Sequence, residues 1–167
     1  MNLVDKNILF HLAKEHLTNI QFSRIFLSAT VSSEALKTAI FSEIFYLLFH
    51  CHQTKVATLY ASATPNKSIY LITLQFKDQS LANIMVDFTN QRQQHIRKIE
   101  IVSDNSIYNF DSSTEDAFYS DYILNGNYIP DYEQENPYDQ QIKELLLGID
   151  TSITNNSFIT FDQQGGH

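Results

Sequence analysis

Glycine is scarce in this chain, and its few positions limit the folds that the chain can adopt. The 167 residues contain four glycines, Gly126, Gly148, Gly165 and Gly166. Phosphate-binding loops need glycines at fixed spacings, G-x-G-x-x-G or G-x-x-x-x-G-K-S/T, because the backbone must approach the phosphate without a side chain in the way. Neither spacing can be written anywhere in the sequence. A Rossmann-type or Walker-type nucleotide site in this chain is therefore excluded.

Hydrophobic periodicity predicts helices near the two ends of the chain and strands between them. Apolar residues at helical spacing predict helices over Leu3–Leu17 and Glu34–His50, the second capped by Ser32 or Ser33. A third helix opens at Asn136-Pro137, with proline at its first position, and ends at Asp150-Thr151. Period-two alternation predicts six strands: Ile20–Ser28, Val56–Ala63, Ser68–Phe76, Leu81–Thr89, Ile96–Val102 and Ser106–Phe110. On Ser68–Phe76 it puts Tyr70, Ile72, Leu74 and Phe76 on one face and Thr73 and Gln75 on the other. A short extended piece follows at Ser157–Phe161.

Short turns between successive strands, such as Lys77–Ser80 and Ser103–Asn105, favour antiparallel neighbours, because parallel neighbours need a long crossover. The acidic stretch Ser112–Glu135 is predicted to be a long excursion. The sequence thus predicts one α+β domain over residues 1–167, with an open, mainly antiparallel sheet and helices packed on one face.

Composition excludes several classes of protein. The formal net charge is −8, and the nearest approach to a basic stripe, Gln91–Lys98, is short and mostly amide, so nucleic-acid binding is not expected. Cys51 is the only cysteine, which rules out an intramolecular disulfide. No apolar stretch is long enough for a bilayer and no signal peptide is visible, so we expect no membrane partner and a cytoplasmic location.

Sequence motifs for metal or nucleophilic catalysis are absent. His50-Cys51-His52 falls at a predicted helix end, where histidine complements the helix dipole and cysteine behaves as a small buried hydrophobe. His11 and His16 are five residues apart and do not form H-E-x-x-H, and no serine lies in a G-x-S-x-G elbow. We therefore expect no metal and assign no catalytic residue.

Three stretches carry a resemblance to a known family. Ile72–Ala82 looks like a strand, an F-x-x-G turn and the next strand; Lys98–Ile107 looks like an I-E-I-x-G-x-x-G-x-I hairpin; Tyr46–Phe49 followed by Val56 looks like the end of a central helix and the entry to a sheet. Together they resemble the C-terminal half of the Gfo/Idh/MocA oxidoreductases, named after glucose–fructose oxidoreductase, inositol dehydrogenase and a rhizopine-catabolism protein. The resemblance runs from about Ile20 to the C-terminus and rests on packing and turn patterns.

The resemblance implies a scaffold without its chemistry. The family places a Rossmann half first, with a Gly-rich loop and a Glu-Lys-Pro segment, and neither is found here. The central helix of the family carries an Asp and, one turn on, a His for proton transfer; the corresponding positions here are near Ala35 and Ala39, which cannot exchange a proton. Asp104, Ser106 or their neighbours replace the hairpin glycines. The family also continues with a last helix, so we expect this chain to stop before it.

Two functions follow from the resemblance. The first is a non-catalytic domain that binds a ligand or forms a homodimer through the open sheet face, because that face often makes the dimer contact in the family. That face is expected to show seven polar residues: Thr58, Tyr60, Thr73, Gln75, Asn83, Asp87 and Glu100. The second is the substrate half of a split sugar oxidoreductase, in which a separate Rossmann-domain chain supplies NAD(P) and Ser42, Glu43, Tyr46 and Arg92 contact the substrate.

A third alternative comes from a different class, a cone-shaped α+β ligand-binding or hydrolase domain. It predicts a sheet curled around a deep apolar pocket enclosed by Phe and Tyr, whereas the first two functions predict a sheet that stays open.

Overall fold

The computed structural model describes residues 17–31, 33–89, 96–112 and 136–161. Two helices and seven strands lie in these ranges: β1 (Phe22–Ser28), α1 (Glu34–His52), β2 (Val56–Ala63), β3 (Ile69–Phe76), β4 (Leu81–Asp87), β5 (Ile96–Val102), β6 (Ile107–Asp111), α2 (Asp139–Asn155) and β7 (Ile159–Thr160). The six predicted strands and two of the three predicted helices are therefore confirmed. The helix predicted to begin at Leu3 and most of the excursion that ends at Glu135 lie outside the described residues.

The strands form one mixed sheet in the order β6-β5-β1-β4-β3-β2-β7. All neighbouring pairs are antiparallel except β1 and β4, which run parallel. An antiparallel meander of the strands from β2 to β6 would make β4 and β5 neighbours, and this expectation is wrong, since β1 lies between them. The parallel pair is possible because α1, β2 and β3 together form the long crossover between β1 and β4.

The alternating pattern places one face of the sheet under the helices. Tyr70, Ile72, Leu74 and Phe76 on β3 are buried while the residues between them are exposed, as the sequence predicted. β4 shows the same alternation, with its buried residues at Ala82, Ile84 and Val86. The inner face forms one core with the apolar residues of α1 and α2. The outer face is the open face of the sheet.

Helix α1 begins at Glu34 and ends two residues later than predicted. Ser33 takes the N-cap position with extended backbone, although its side chain makes no capping hydrogen bond. At the other end, Gln53 adopts a left-handed conformation (φ 53°) and its N–H donates to the carbonyl of Phe49, which stops the helix. The buried side of α1, which includes Phe41 and Phe45, packs across the inner face of the sheet.

Helix α2 differs from its predicted bounds at both ends. Asn136 Oδ1 accepts the N–H of Tyr138 at 2.9 Å, so residues 136–138 form a turn and the first helical residue is Asp139 rather than Pro137. The helix continues to Asn155, because Ile149 and Ser152 are still packed against β2, and it stops where Asn156 turns left-handed (φ 48°). Gly148 lets α2 approach the sheet closely, since a Cβ there would lie 3.2 Å from Cζ of Phe161.

In the described ranges, neither helix is long and apolar enough to cross a membrane.

Candidate functional site

The predicted substrate-contacting residues of α1 lie on neighbouring faces of the helix. Ser42 is half-buried, and its hydroxyl donates to the carbonyl of Thr38 at 2.8 Å, a bond within the helix itself. Tyr46 follows one turn later on the same face. Arg92, the fourth predicted residue, lies outside the described residues. Ser42, Glu43 and Tyr46 are thus neighbours along one stretch of α1.

Glu43 crosses from the helix to the inner face of the sheet. One of its carboxylate oxygens lies 3.9 Å from a guanidinium nitrogen of Arg97 on β5. The two side chains are only 9% and 13% exposed, so the charges are largely removed from water. A pair of this kind helps to fix the helix against the sheet, because a desolvated charge is costly unless a charge of opposite sign lies close to it. Sequence analysis could not find Arg97, because the pairing depends on which strand lies beneath α1.

Tyr46 packs among aromatic rings where α1 meets α2. Its ring centroid lies 5.8 Å from that of Tyr138 in an edge-on arrangement and 6.5 Å from that of His50 in a stacked one. Tyr138 also stacks on Phe49 at 5.2 Å. This cluster sets the approach of α2 to α1, and Tyr46 remains half-buried at its edge.

The two α1 positions near which the sequence resemblance places the proton-transferring residues of the family are accessible. Ala35 is exposed and Ala39 is half-buried, and Ser42 continues the same side of the helix toward the C-terminus. A methyl side chain holds no proton for transfer, so this side of α1 offers shape and a serine hydroxyl but no general acid or base at those two positions.

The open face of the sheet carries rows of side chains that run across the strands. The polar row consists of Tyr60, Thr73, Asn83, Arg24, Glu100 and Asn109. Its members interact with one another: Thr73 donates to Asn83 at 3.1 Å, and Arg24 lies 3.8 Å from Glu100. This row contains four of the seven polar residues predicted for the open face.

Two further rows flank the polar row. The Leu71 row runs Ser62, Leu71, Met85, Phe26, Lys98 and Asp111. The Leu81 row runs Thr58, Gln75, Leu81, Phe22, Val102 and Ile107. Each row has apolar residues on the central strands and polar residues at one or both of its ends. Leu71 is 54% exposed and Leu81, Met85 and Ile107 are also exposed.

The apolar centres of these rows are the part of the open face that sequence analysis missed. Thr58 and Gln75 lie in the Leu81 row as predicted, and Asp87 lies one step beyond the Leu71 row, where its carboxylate accepts bonds from the backbone and hydroxyl of Thr89. The signal was available in the alternation, since Leu71 and Met85 occupy outward positions. Which residues lie side by side across the strands depends on the strand order, and the sequence does not give that order.

Within the described ranges, no group of three or more His, Cys, Asp and Glu residues could hold a metal ion. The end strands β6 and β7 do not pair with one another there, so the described sheet is open. The cone-shaped alternative, which needs a sheet curled around a deep apolar pocket, stays a prediction.

Comparison with protein-family profiles and with curated proteins finds no match. Solved structures match over nearly the whole chain. The WlbA dehydrogenase from Bordetella pertussis, in complex with NADH and UDP-GlcNAcA, has a TM-score of 0.69 at 14% identity, over 98% of this chain and 62% of that one. GenD2 from gentamicin A biosynthesis, in complex with NAD, has a TM-score of 0.68 at 10% identity, over 96% and 61%.

Scyllo-inositol dehydrogenase from Lactobacillus casei, with bound NAD(H) and scyllo-inositol, has a TM-score of 0.67 at 9% identity, over 95% of this chain and 62% of that one. This chain therefore spans about three-fifths of the length of the dehydrogenases that it matches. Identities this low establish the fold alone. This protein has the fold of the C-terminal domain of the Gfo/Idh/MocA oxidoreductases, as the sequence resemblance indicated.

Proposed function

We propose that this chain is an oxidoreductase-type C-terminal domain that performs no redox chemistry by itself and forms a homodimer through the open face of its sheet. The observation that supports the dimer is the arrangement of the three rows. Exposed apolar side chains lie on the central strands in the Leu71 and Leu81 rows, on the two sides of the polar row, while charged residues such as Lys98 and Asp111 lie toward one edge. Protein interfaces combine exposed apolar side chains with hydrogen-bonding and charged groups in this way.

The size of the open face fits a stable contact. The six strands that lie between β2 and β6 in the sheet, counting both, are about 4.8 Å apart and about seven residues long. They present a projected area of roughly 600 Å². A standard interface removes about 800 Å² of accessible surface from each partner, and accessible surface exceeds projected area once side chains are counted. A second copy is the partner that the face fits, because Arg24 and Glu100 in the polar row give it both signs of charge.

Sedimentation velocity of the full chain tests the dimer. We expect a dimer at high micromolar concentration and a monomer after the double substitution Leu71→Lys and Met85→Lys, because two ammonium groups would be desolvated at adjacent cross-strand positions. The control is Leu147→Lys, a substitution of an exposed leucine on α2 away from the sheet.

A wild-type chain that stays monomeric at several hundred micromolar would overturn the dimer. A dimer that survives the double substitution but dissociates with Leu147→Lys would place the interface on α2 instead.

The lack of independent chemistry is supported by Ala35 and Ala39 and by the glycine positions, which leave no pyrophosphate loop in the sequence. Isothermal titration of the purified chain with NADH and NADPH tests it. We expect no heat of binding. Stoichiometric binding of either cofactor to the isolated chain would contradict the proposal.

A second candidate function is the substrate half of a split oxidoreductase. It is favoured by the extent of the structural match. About two-fifths of the length of each matched dehydrogenase has no counterpart in this chain, and these dehydrogenases were solved with NAD or NADH. In this case Ser42 and Tyr46, on the accessible side of α1, contact a hydroxylated substrate in the presence of a Rossmann-domain partner chain. Affinity purification from the native cell tests it, and the absence of any nucleotide-binding protein in the eluate would remove it.

A further inference from the structure

His52 is the last residue of α1 and lies in the core rather than at the surface. The residue is only 7% exposed, and its imidazole ring stacks on Phe76 of β3 with the ring centroids 3.9 Å apart. His50, two residues earlier on the same helix, is exposed. The two histidines therefore occupy opposite environments although both lie in the last turn of α1.

Both ring nitrogens of His52 are hydrogen-bonded to serine hydroxyls. Nδ1 lies 2.8 Å from Oγ of Ser80, and Nε2 lies 2.9 Å from Oγ of Ser23 on β1. Ser80 belongs to the turn between β3 and β4, so the ring joins three parts of the fold. Ser23 is fully buried and Ser80 nearly so.

The direction of these bonds follows from Asp78. Its Oδ1 lies 2.6 Å from Oγ of Ser80 and also accepts the Ser80 N–H at 3.0 Å. A carboxylate only accepts, so the Ser80 hydroxyl donates to Asp78 and must accept from Nδ1–H of His52. A neutral imidazole has one N–H, so Nε2 accepts from the Ser23 hydroxyl. The hydrogen-bond chain is complete with the neutral ring.

We propose that His52 is a pH-sensitive latch, which in its neutral form fastens the end of α1 to β1 and to the β3–β4 turn and on gaining a proton releases them. The added proton would have to lie on Nε2 and point at Ser23. Oγ of Ser23 would then have to turn its own proton away, in a strand position without solvent. The positive charge would also be desolvated against the face of Phe76.

The charged groups around the ring do little to offset that cost. Asp78 faces it through Ser80, from the β3–β4 turn, and favours the protonated form. β5 contributes the uncharged Ile101 opposite Ser23, and β3 contributes the uncharged Phe76. Lys77 and Lys55, beside the turn and after the helix, carry the same sign as a protonated ring. Burial lowers the pKa of His52 from its ordinary 6.5 to about 4, against the opposing effect of Asp78.

The direction of the pH effect follows by linkage. The unfolded chain takes up this proton at about pH 6.5 and the folded chain only at about 4, so stability is complete above pH 6.5 and is lost as the pH falls between these values. At pH 5 this one group is expected to raise the unfolding equilibrium constant about 30-fold relative to pH 8.

Chemical denaturation of the full chain between pH 8 and pH 4.5 tests the latch through the variant His52→Gln, whose amide can donate and accept but cannot titrate. We expect the pH-linked loss in His52→Gln to be smaller than in the wild type by about that factor of 30 at pH 5. His50→Gln is the matched control and should keep the wild-type pH dependence. Equal pH dependence in the wild type and His52→Gln would overturn the proposal.

A second measurement decides the matter on the wild-type chain, whether or not His52→Gln folds. Two-bond ¹H–¹⁵N NMR spectra report the tautomer and the titration of each histidine. We expect His52 to show the Nδ1–H tautomer at pH 7 and to remain neutral below pH 5. A His52 signal in the Nε2–H form, or one that titrates at about 6.5, would refute the latch.

Discussion

Ser152 of α2 seals the outer edge of β2 by accepting a hydrogen bond from the backbone N–H of Ala61 at 2.9 Å. The same hydroxyl donates to the carbonyl of Ser157 at 2.7 Å, and Ser152 is fully buried. β7 pairs with β2 only opposite Thr58 and Leu59, so the helix takes over where the short strand ends. The Ser152 side chain thus supplies the hydrogen bond that a neighbouring strand would otherwise supply.

The first prediction is that Ser152→Ala destabilises the fold by about 1–3 kcal/mol, because it leaves the buried N–H of Ala61 without an acceptor. The free energy of unfolding in urea measures the loss. The control is Thr151→Ala on the next residue, whose exposed hydroxyl donates only to the carbonyl of Leu147 and whose removal should change stability by less than about 0.5 kcal/mol. Equal effects of the two substitutions would contradict this assignment.

The second prediction concerns the Glu43–Arg97 ion pair. Glu43→Gln leaves the guanidinium of Arg97 largely buried opposite a neutral amide, and we expect a loss of about 3 kcal/mol in the free energy of unfolding. Asp150→Asn is the control, because Asp150 pairs with Lys67 at 3.3 Å with both side chains mostly in water, where the cost is about 0–1 kcal/mol. If Glu43→Gln is as stable as the wild type, the pair does not fasten α1 to the sheet.

The third prediction uses the close approach of α2 at Gly148. A valine there adds a Cβ and two methyl groups against the side chains of Phe161 and Leu59, and we expect a loss of about 1–3 kcal/mol from overpacking. Thermal unfolding followed by circular dichroism measures it. Leu147→Val on the exposed side of the same helix controls for the poor helix propensity of valine. A Gly148→Val chain that melts with the wild type would show that α2 can move away from β2.

The fourth prediction concerns the thiol of Cys51. Cys51 is half-buried by its accessible surface. Desolvation raises the pKa of the thiol from 9.0 to about 12, so at pH 8 the reactive thiolate is about 1,000-fold rarer than in an ordinary cysteine. We expect Ellman's reagent to label the native chain correspondingly slowly and the guanidinium-unfolded chain at once. Since the folded state holds this proton more tightly, the same group lowers stability as the pH rises above about 9. Rapid native labelling at pH 8 would contradict the burial of the thiol.

Much of the fold could be predicted because alternation reports which face of a strand is buried. The inward positions of β3, Tyr70 through Phe76, were identified from period-two spacing alone, and the structure buries all four. Alternation does not report which strand lies beside which. The insertion of β1 between β4 and β5 was therefore missed, and with it the neighbours of Arg24 and the pairing of Glu43 with Arg97.

The histidines at the end of α1 also show that sequence patterns do not report which residues become neighbours in the fold. Sequence analysis ended the helix at His50 and assigned a histidine in its last turn a role in complementing the helix dipole, whereas the structure continues the last turn to His52. His52 does not have that role at pH 7, because burial lowers its pKa and keeps the ring neutral. The cause is the pair of serines on β1 and in the β3–β4 turn, which are 29 and 28 residues away in sequence.

The central place of β1 has a consequence for how the protein is made. In the described part of the sheet, β4 and β5 each hydrogen-bond to β1 and not to one another, so seven residues near the start of the chain join two separate blocks of strands. During translation, β1 is made before the two strands that flank it, and its pairing with β4 can begin only after Leu81 is made and its pairing with β5 only after Ile96. Until β4 is made, the strand that will occupy the middle of the sheet has two bare edges, and until β5 is made it has one, which exposes the nascent chain to incorrect pairing.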